Sequence, residues 1–232
     1  MHRPLSAATY NVHGGVPAGG HYDPRPACEV IRRLDADILA LQEVVHGHFG
    51  GLRHDAFAAF AEAHGGVEVH GPTQQTTHRT YGNMLLSRWP CVRRRIHDVS
   101  VNRREPRNVI DVVVDTPGGE LRVLATHLGV KARERSHQAT RLAEIVATDG
   151  ARPTVVLGDF NDWLPLSLLS RRLRRVLTLT PRRSTFPARL PVLALDRIWL
   201  RPAPRCLSLE TYCRPPARVA SDHLPLIAEI AW

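Results

Sequence analysis

The polar residues with chemistry to offer fall at the ends of apolar runs. Asn11, Glu43, His127, Asp159 with Asn161, and Asp222 with His223 each stand at or just beyond one end of such a run. Asp196 lies inside one, ahead of Arg197-Ile198-Trp199. A lone Asp after a strand is an ordinary turn residue or helix cap. The set is another matter, because independent turn residues need not share this composition. Strand ends gathered at one edge of a sandwich converge carboxylates, imidazoles and amides on a single pocket, the groups that move protons and hold cations.

The elements that must position them follow from periodicity. Residues 5–12 read as a first strand, and Pro24 and Pro26 open a helix whose Ala27, Val30, Ile31 and Leu34 share one face. Ile38-Leu39-Ala40-Leu41 is continuously apolar, the pattern of a strand buried on both faces. A second helix is expected through Leu52, Ala56, Ala59, Phe60 and Ala63, closed by Gly65-Gly66. Strands are predicted over 83–87, 92–101, 109–114 and 121–128, a helix over 133–147, and strands over 154–157, 193–200 and 224–230. Hairpin connections mixed with helical crossovers point to an α/β fold, two mixed sheets packed together with helices outside.

Composition narrows the class. The 232 residues are 43% hydrophobic and 23% charged, which suits one globular domain over 1–232 and excludes a disordered or collagenous chain. The 31 basic residues outnumber 22 acidic ones, for a formal charge of +9, and all but Lys131 are arginine. An anionic partner is expected, since the guanidinium fork donates two parallel hydrogen bonds to phosphate. Cys28, Cys91, Cys206 and Cys213 lack metal-site spacing and are expected to be reduced. Met1-His2-Arg3-Pro4 leads into a strand without an apolar signal core, and no run is long enough to span a bilayer, so a soluble, cytoplasmic protein is expected; a monomer is expected as well. Arg93-Arg94-Arg95 reads as a guarded edge strand, and Arg171-Arg172-Leu173-Arg174-Arg175 as a candidate basic rim. Trp163 is the tryptophan expected to flank the pocket.

Six blocks carry a resemblance. Tyr10-Asn11-Val12-His13-Gly14-Gly15, Leu41-Gln42-Glu43, Thr126-His127-Leu128, Gly158-Asp159-Phe160-Asn161, Leu195-Asp196-Arg197-Ile198 and Ser221-Asp222-His223 occur in the order of the endonuclease/exonuclease/phosphatase superfamily. The chain resembles a compact bacterial branch of that superfamily. The resemblance implies a deoxyribonuclease I-like, four-layer α/β/β/α sandwich and a metal-dependent phosphohydrolase, first of all a nuclease-like phosphodiesterase. A phospholipid or small organophosphate substrate is the alternative, and an inactive arginine-rich scaffold that binds nucleic acid or an acidic protein is the rival from another class.

The same resemblance implies roles. His223 supported by Asp196 matches the pair that orients or deprotonates water. Glu43 matches the principal Mg²⁺ ligand, with Asp222 and Asn11 completing or supporting the site. Asp159 and Asn161 match the groups at the phosphate and the attacking water, and His127 a nuclease-like histidine on the phosphate. Arg107, ahead of a predicted strand, is a candidate phosphate clamp. Two positions depart from the pattern. His13 stands where some members carry a second metal-binding carboxylate, so Mn²⁺ can serve as well as Mg²⁺. Tyr81-Gly82-Asn83-Met84-Leu85 lacks the acid that pairs with the histidine matching His127 in deoxyribonuclease-like members, leaving Tyr81 or Asn83 to support it.

Overall fold

Two strand–helix–strand crossovers organise the molecule, one in each of two sheets. The computed structural model describes residues 3–49, 52–150, 152–201 and 204–231. The first half of the chain forms β1 (Leu5–Asn11), α1 (Arg25–Leu34), β2 (Ile38–Phe49), β3 (Leu52–Asp55), α2 (Ala56–His64), β4 (Val67–Gln75), β5 (Arg79–Ser87) and β6 (Cys91–Asp98). There follow β7 (Asn108–Thr116), β8 (Gly119–His127), α3 (Ala132–Ala147), β9 (Thr154–Asp159), α4 (Leu168–Leu173) and β10 (Thr178–Leu179). The described elements end with β11 (Asp196–Arg201), β12 (Arg205–Thr211), α5 (Ala217–Ala220) and β13 (Leu226–Ala231).

One sheet has the order β12-β13-β1-β2-β5-β4, with β3 hairpinned onto β2, and the other β10-β11-β9-β8-β7-β6. In each, one parallel pair is joined by a helix: β1 with β2 through α1, and β8 with β9 through α3. Alternate residues explain the layering. Ile38 and Ala40 face the other sheet and pack with Ile110, Val112, Val155 and Leu157. Their neighbours Leu39 and Leu41 turn outward onto α1 and α2, while Leu124 and Val156 turn outward onto α3 and α4. Strands apolar on both faces therefore specify a four-layer sandwich.

The structure moves several boundaries. The second helix starts at Ala56 rather than near Leu52, because the Asp55 carboxylate accepts the Ala58 N–H and caps it. Strands β4 and β12 were not expected. Both lie at sheet edges, where Gly71-Pro72 and an exposed polar face are tolerated and the apolar signal is weak. The Arg93–Arg95 segment does sit on an edge strand, β6. The four cysteines are free, and among the described residues no helix is long and apolar enough to cross a membrane.

Candidate active site

Strand register brings the polar ends together. Asn11 pairs with Gln42 across β1 and β2, His127 with Asp159 across β8 and β9, and Asp159 with Asp196 across β9 and β11. The two sheets thus deliver their crossover ends to one edge. Glu43 needs a further device: the β2–β5 register shifts between Leu41 and Val44, and Glu43 sits in this bulge at φ 61°. Bulges re-aim side chains in this way beside functional sites. His13 (φ 47°) and Asn161 (φ 49°) are also left-handed, an uncommon backbone for residues other than glycine that persists where the surroundings enforce it.

Asp159 is the hub. Its Oδ2 accepts from Asn11 Nδ2 at 3.2 Å and lies 3.6 Å from His127 Nε2 and 3.7 Å from His223 Nε2. The same Asn11 amide donates to Glu43 Oε1 at 2.9 Å, while Asn11 Oδ1 accepts the His13 N–H at 3.0 Å. Asn11 therefore ties Glu43 to Asp159 with both amide protons, as a support for the two carboxylates. Asn161 meets Asp159 through its backbone, whose N–H donates to Asp159 Oδ1 at 2.8 Å. Its amide donates to His127 Nε2 at 3.2 Å and to the Leu128 carbonyl at 2.9 Å.

The two histidines are pushed to opposite protonation states. Burial holds His127 down to about 3, with the charges of Arg107 and His223 adding to it against Asp159. It is a neutral imidazole at physiological pH. Burial also disfavours charge on His223, but Asp196, Asp159 and Asp222 outweigh it and lift that group to about 10. Asp196 Oδ2 stands 2.9 Å from His223 Nδ1 and also accepts the Thr185 hydroxyl, so both groups lock its orientation. Phe186 lies against the His223 ring with centroids 4.9 Å apart. Thr185, Phe186 and Ser221, whose hydroxyl donates to the Asn11 carbonyl at 2.7 Å, were not singled out as site residues. A hydroxyl that serves a distant carboxylate leaves no periodic signal in the chain.

The donor set suits a hard divalent cation. Glu43 and Asp222 are half-buried, whereas Asp159 and Asp196 are fully buried. Burial first, then the charges of Asp159 and Asp222, push Glu43 above the usual carboxylate range against the Asn11 hydrogen bond. Three carboxylates crowded this way are relieved by a cation bound among them. Asp159, Asp196 and His223 also present ligand atoms within 4.8 Å of one another. There, however, Asp196 is engaged by Thr185 and His223, which leaves Glu43 and Asp222 as the more open ligands.

Arg107 is buried near the site, where its charge acts on His127 and Tyr81. Its two terminal nitrogens already grip Glu105, each at 3.0 Å. Tyr81 interacts with Arg107, and burial first, then the charges of Glu43 and Glu105, raise its phenol. Asn83 instead donates to Asn108 at 3.0 Å, and Asn108 to the carbonyls of Gly71 and Pro72, a brace between the sheets. Trp163 is exposed beside the site, 5.5 Å from the Arg135 guanidinium carbon.

The chain has relatives in sequence and in fold. The chain is 34% identical over 253 residues to the uncharacterised protein YbhP of Escherichia coli K12, covering 96% of this chain and 94% of that one. It superposes on the endonuclease/exonuclease/phosphatase of Beutenbergia cavernae with TM-score 0.82 at 25% identity, covering 99% of this chain and 72% of that one. The human Nocturnin catalytic domain with bound sulfate shares the fold, with TM-score 0.77 at 20% identity over 100% of this chain and 95% of that one. The profile of the Endonuclease/Exonuclease/phosphatase family matches residues 8–223, a span that takes in all six blocks, and the chain belongs to that family of phosphoester hydrolases.

Proposed function

We propose that the protein is a divalent-cation-dependent phosphodiesterase, acting as a single unit through the site centred on Asp159. The observation that carries the reading is the meeting of Asn11, His127 and His223 on one oxygen of Asp159. Binding alone does not demand two imidazoles with opposed protonation around a buried acid, which speaks against the inactive scaffold.

In this reading water attacks phosphorus in line with the leaving oxygen. The water's oxygen joins phosphorus, the P–O bond to the leaving alcohol breaks, and the alcohol takes up a proton. Asp159 and His223 orient the water, whose one departing proton passes to this pair, and Asp196 with Thr185 fixes the His223 ring. For the Asn161 amide to donate to a phosphoryl oxygen it exchanges its hydrogen bond to the neutral His127 Nε2 for one to the substrate, a donor that adds no repulsive charge. Arg107 contributes charge at short range while Glu105 holds its fork. Glu43 and Asp222 would hold Mg²⁺ or Mn²⁺, with Asn11 as support; the cation would supply charge neutralisation for the phosphoryl oxygens and would offset the carboxylates that hold His223 protonated.

The test is turnover of bis-(4-nitrophenyl) phosphate with Mg²⁺, Mn²⁺ or EDTA. Metal-stimulated release of nitrophenol that EDTA abolishes is expected. No turnover with either metal, on this ester or on plasmid, RNA and lipid vesicles, would favour the scaffold.

A further inference from the structure

The exposed apolar side chains are not scattered. Among the described residues, Val92 and Ile96 lie on edge strand β6 and Leu207 on edge strand β12. The remaining large ones fall in segments that leave or enter the edge carrying the site. Val130 follows β8, Trp163, Leu164, Leu166 and Leu168 follow β9, Leu190 and Val192 precede β11, and Val219 lies on α5 ahead of β13. Leu166 is 78% exposed and Leu190 72%. Such clustering marks a surface that meets something apolar.

Both loops are pinned from beneath, which holds these side chains out. Arg135 donates to the Val130 carbonyl and lies against the Trp163 ring, and Arg182 donates to the Trp163 carbonyl. Ser167 and Ser170 donate to the Asp162 carboxylate. On the other side, Ala188 N–H donates to the Asp222 carbonyl at 2.7 Å, and Arg218 donates to the carbonyls of Ala188 and Arg189. The two apolar rims are thus tied directly to the residues flanking Asp159 and His223.

Charge selects the partner. Residues 163–195 contain seven arginines and no Asp or Glu. Arg171, Arg175 and Arg189 are exposed there, as are Lys131 and Arg133 beside Val130. Two such rims repel each other, which disfavours a second copy. Leucine and valine do not stack on bases, but they enter acyl chains, and tryptophan and arginine favour the headgroup layer.

We propose that this rim docks the site's mouth onto an anionic lipid surface, so that the ester delivered to Asp159 and His223 is the phosphodiester of a lipid headgroup. The docking stands by itself; the choice of substrate rests on the hydrolase reading above.

The test is flotation of the full chain with vesicles of equal parts phosphatidylglycerol and phosphatidylcholine. Wild type and His223→Ala are expected to float alike, and Trp163 emission to shift to the blue. Phosphatidylcholine alone should capture far less. Leu166→Asp/Leu190→Asp should lose at least about tenfold in bound fraction, because each leucine forfeits its transfer into the acyl layer, while its melting midpoint stays that of wild type. Leu166→Ser/Leu190→Ser should fall between. Wild type left unbound, or the Asp double variant floating like wild type, overturns the docking. Retention on a single-stranded oligonucleotide without flotation overturns it too and assigns the rim to nucleic acid. Turnover of the soluble nitrophenyl ester reports separately: if it persists without flotation, only the docking fails, and flotation without turnover of any ester sinks the hydrolase reading alone.

Discussion

Asp196 stands directly across the β11–β9 ladder from Asp159, and His223 joins them, 2.9 Å from Asp196 by Nδ1 and 3.7 Å from Asp159 by Nε2. Two buried like charges in cross-strand register repel. The imidazolium of His223 resolves the conflict, so this residue serves the fold as well as its proposed role in the site.

His223→Ala is therefore expected to lower turnover by about 10²- to 10⁴-fold, the range for loss of a positioned acid–base group. It should also depress the melting temperature of the metal-free protein, since two carboxylates lose their shared cation. Adding Asp196→Asn to His223→Ala should restore melting but not turnover. A single variant that melts like wild type would refute the structural half of this assignment.

Glu43→Gln separates metal binding from folding. Divalent binding by calorimetry should weaken more than the roughly 10- to 100-fold attributed to a supporting residue. Without metal, the variant should melt no lower than wild type, because it relieves the repulsion from Asp159 and Asp222. The melting gain on adding Mg²⁺ or Mn²⁺ should shrink with it; an undiminished gain would place the cation elsewhere.

In the proposed reaction Thr185 is a positioning residue, its hydroxyl donating to Asp196. A hydrogen bond to a charged group is worth about 1.5–3 kcal/mol, so Thr185→Val should cost roughly tenfold or more in kcat. KM for the nitrophenyl ester should hardly move, and Thr185→Ser should restore kcat. Loss confined to KM would remove Thr185 from this role.

Far from the site, Asp111 accepts Arg122 Nε at 2.8 Å and Nη2 at 2.7 Å and pairs with His97 at 3.0 Å. Burial pushes its carboxyl up, but these partners outweigh burial and hold it below the usual range. A depressed folded value means that the stabilisation is complete above the unfolded carboxylate pKa and is lost as pH falls through the folded one. Asp111→Asn should cost about 3–5 kcal/mol at neutral pH, as expected when a buried pair loses one member. Urea melts should show the gap from wild type closing only in acid, below about pH 4; a gap constant down to pH 2 would remove ionisation as its cause.

Much of this was legible in the chain because it is local. Ile38-Leu39-Ala40-Leu41 announces a strand covered on both faces, and the spacing of Ala27, Val30, Ile31 and Leu34 announces an amphipathic helix. The ordered blocks around Asn11, Glu43, His127, Asp159, Asp196 and His223 identified the family, since residue type and order survive without geometry. Tertiary structure decided the rest. Only register sets Asp159 between His127 and Asp196, and only a bulge turns Glu43 toward them. Only burial among carboxylates separates the two histidines, a field effect that depends on distances between strands rather than on sequence neighbours. Edge strands β4 and β12 escaped notice for a related reason: one ladder partner and a wet face impose little on side-chain choice. The chain carries the chemistry, and the packing of its two sheets determines where that chemistry meets and which protons it holds.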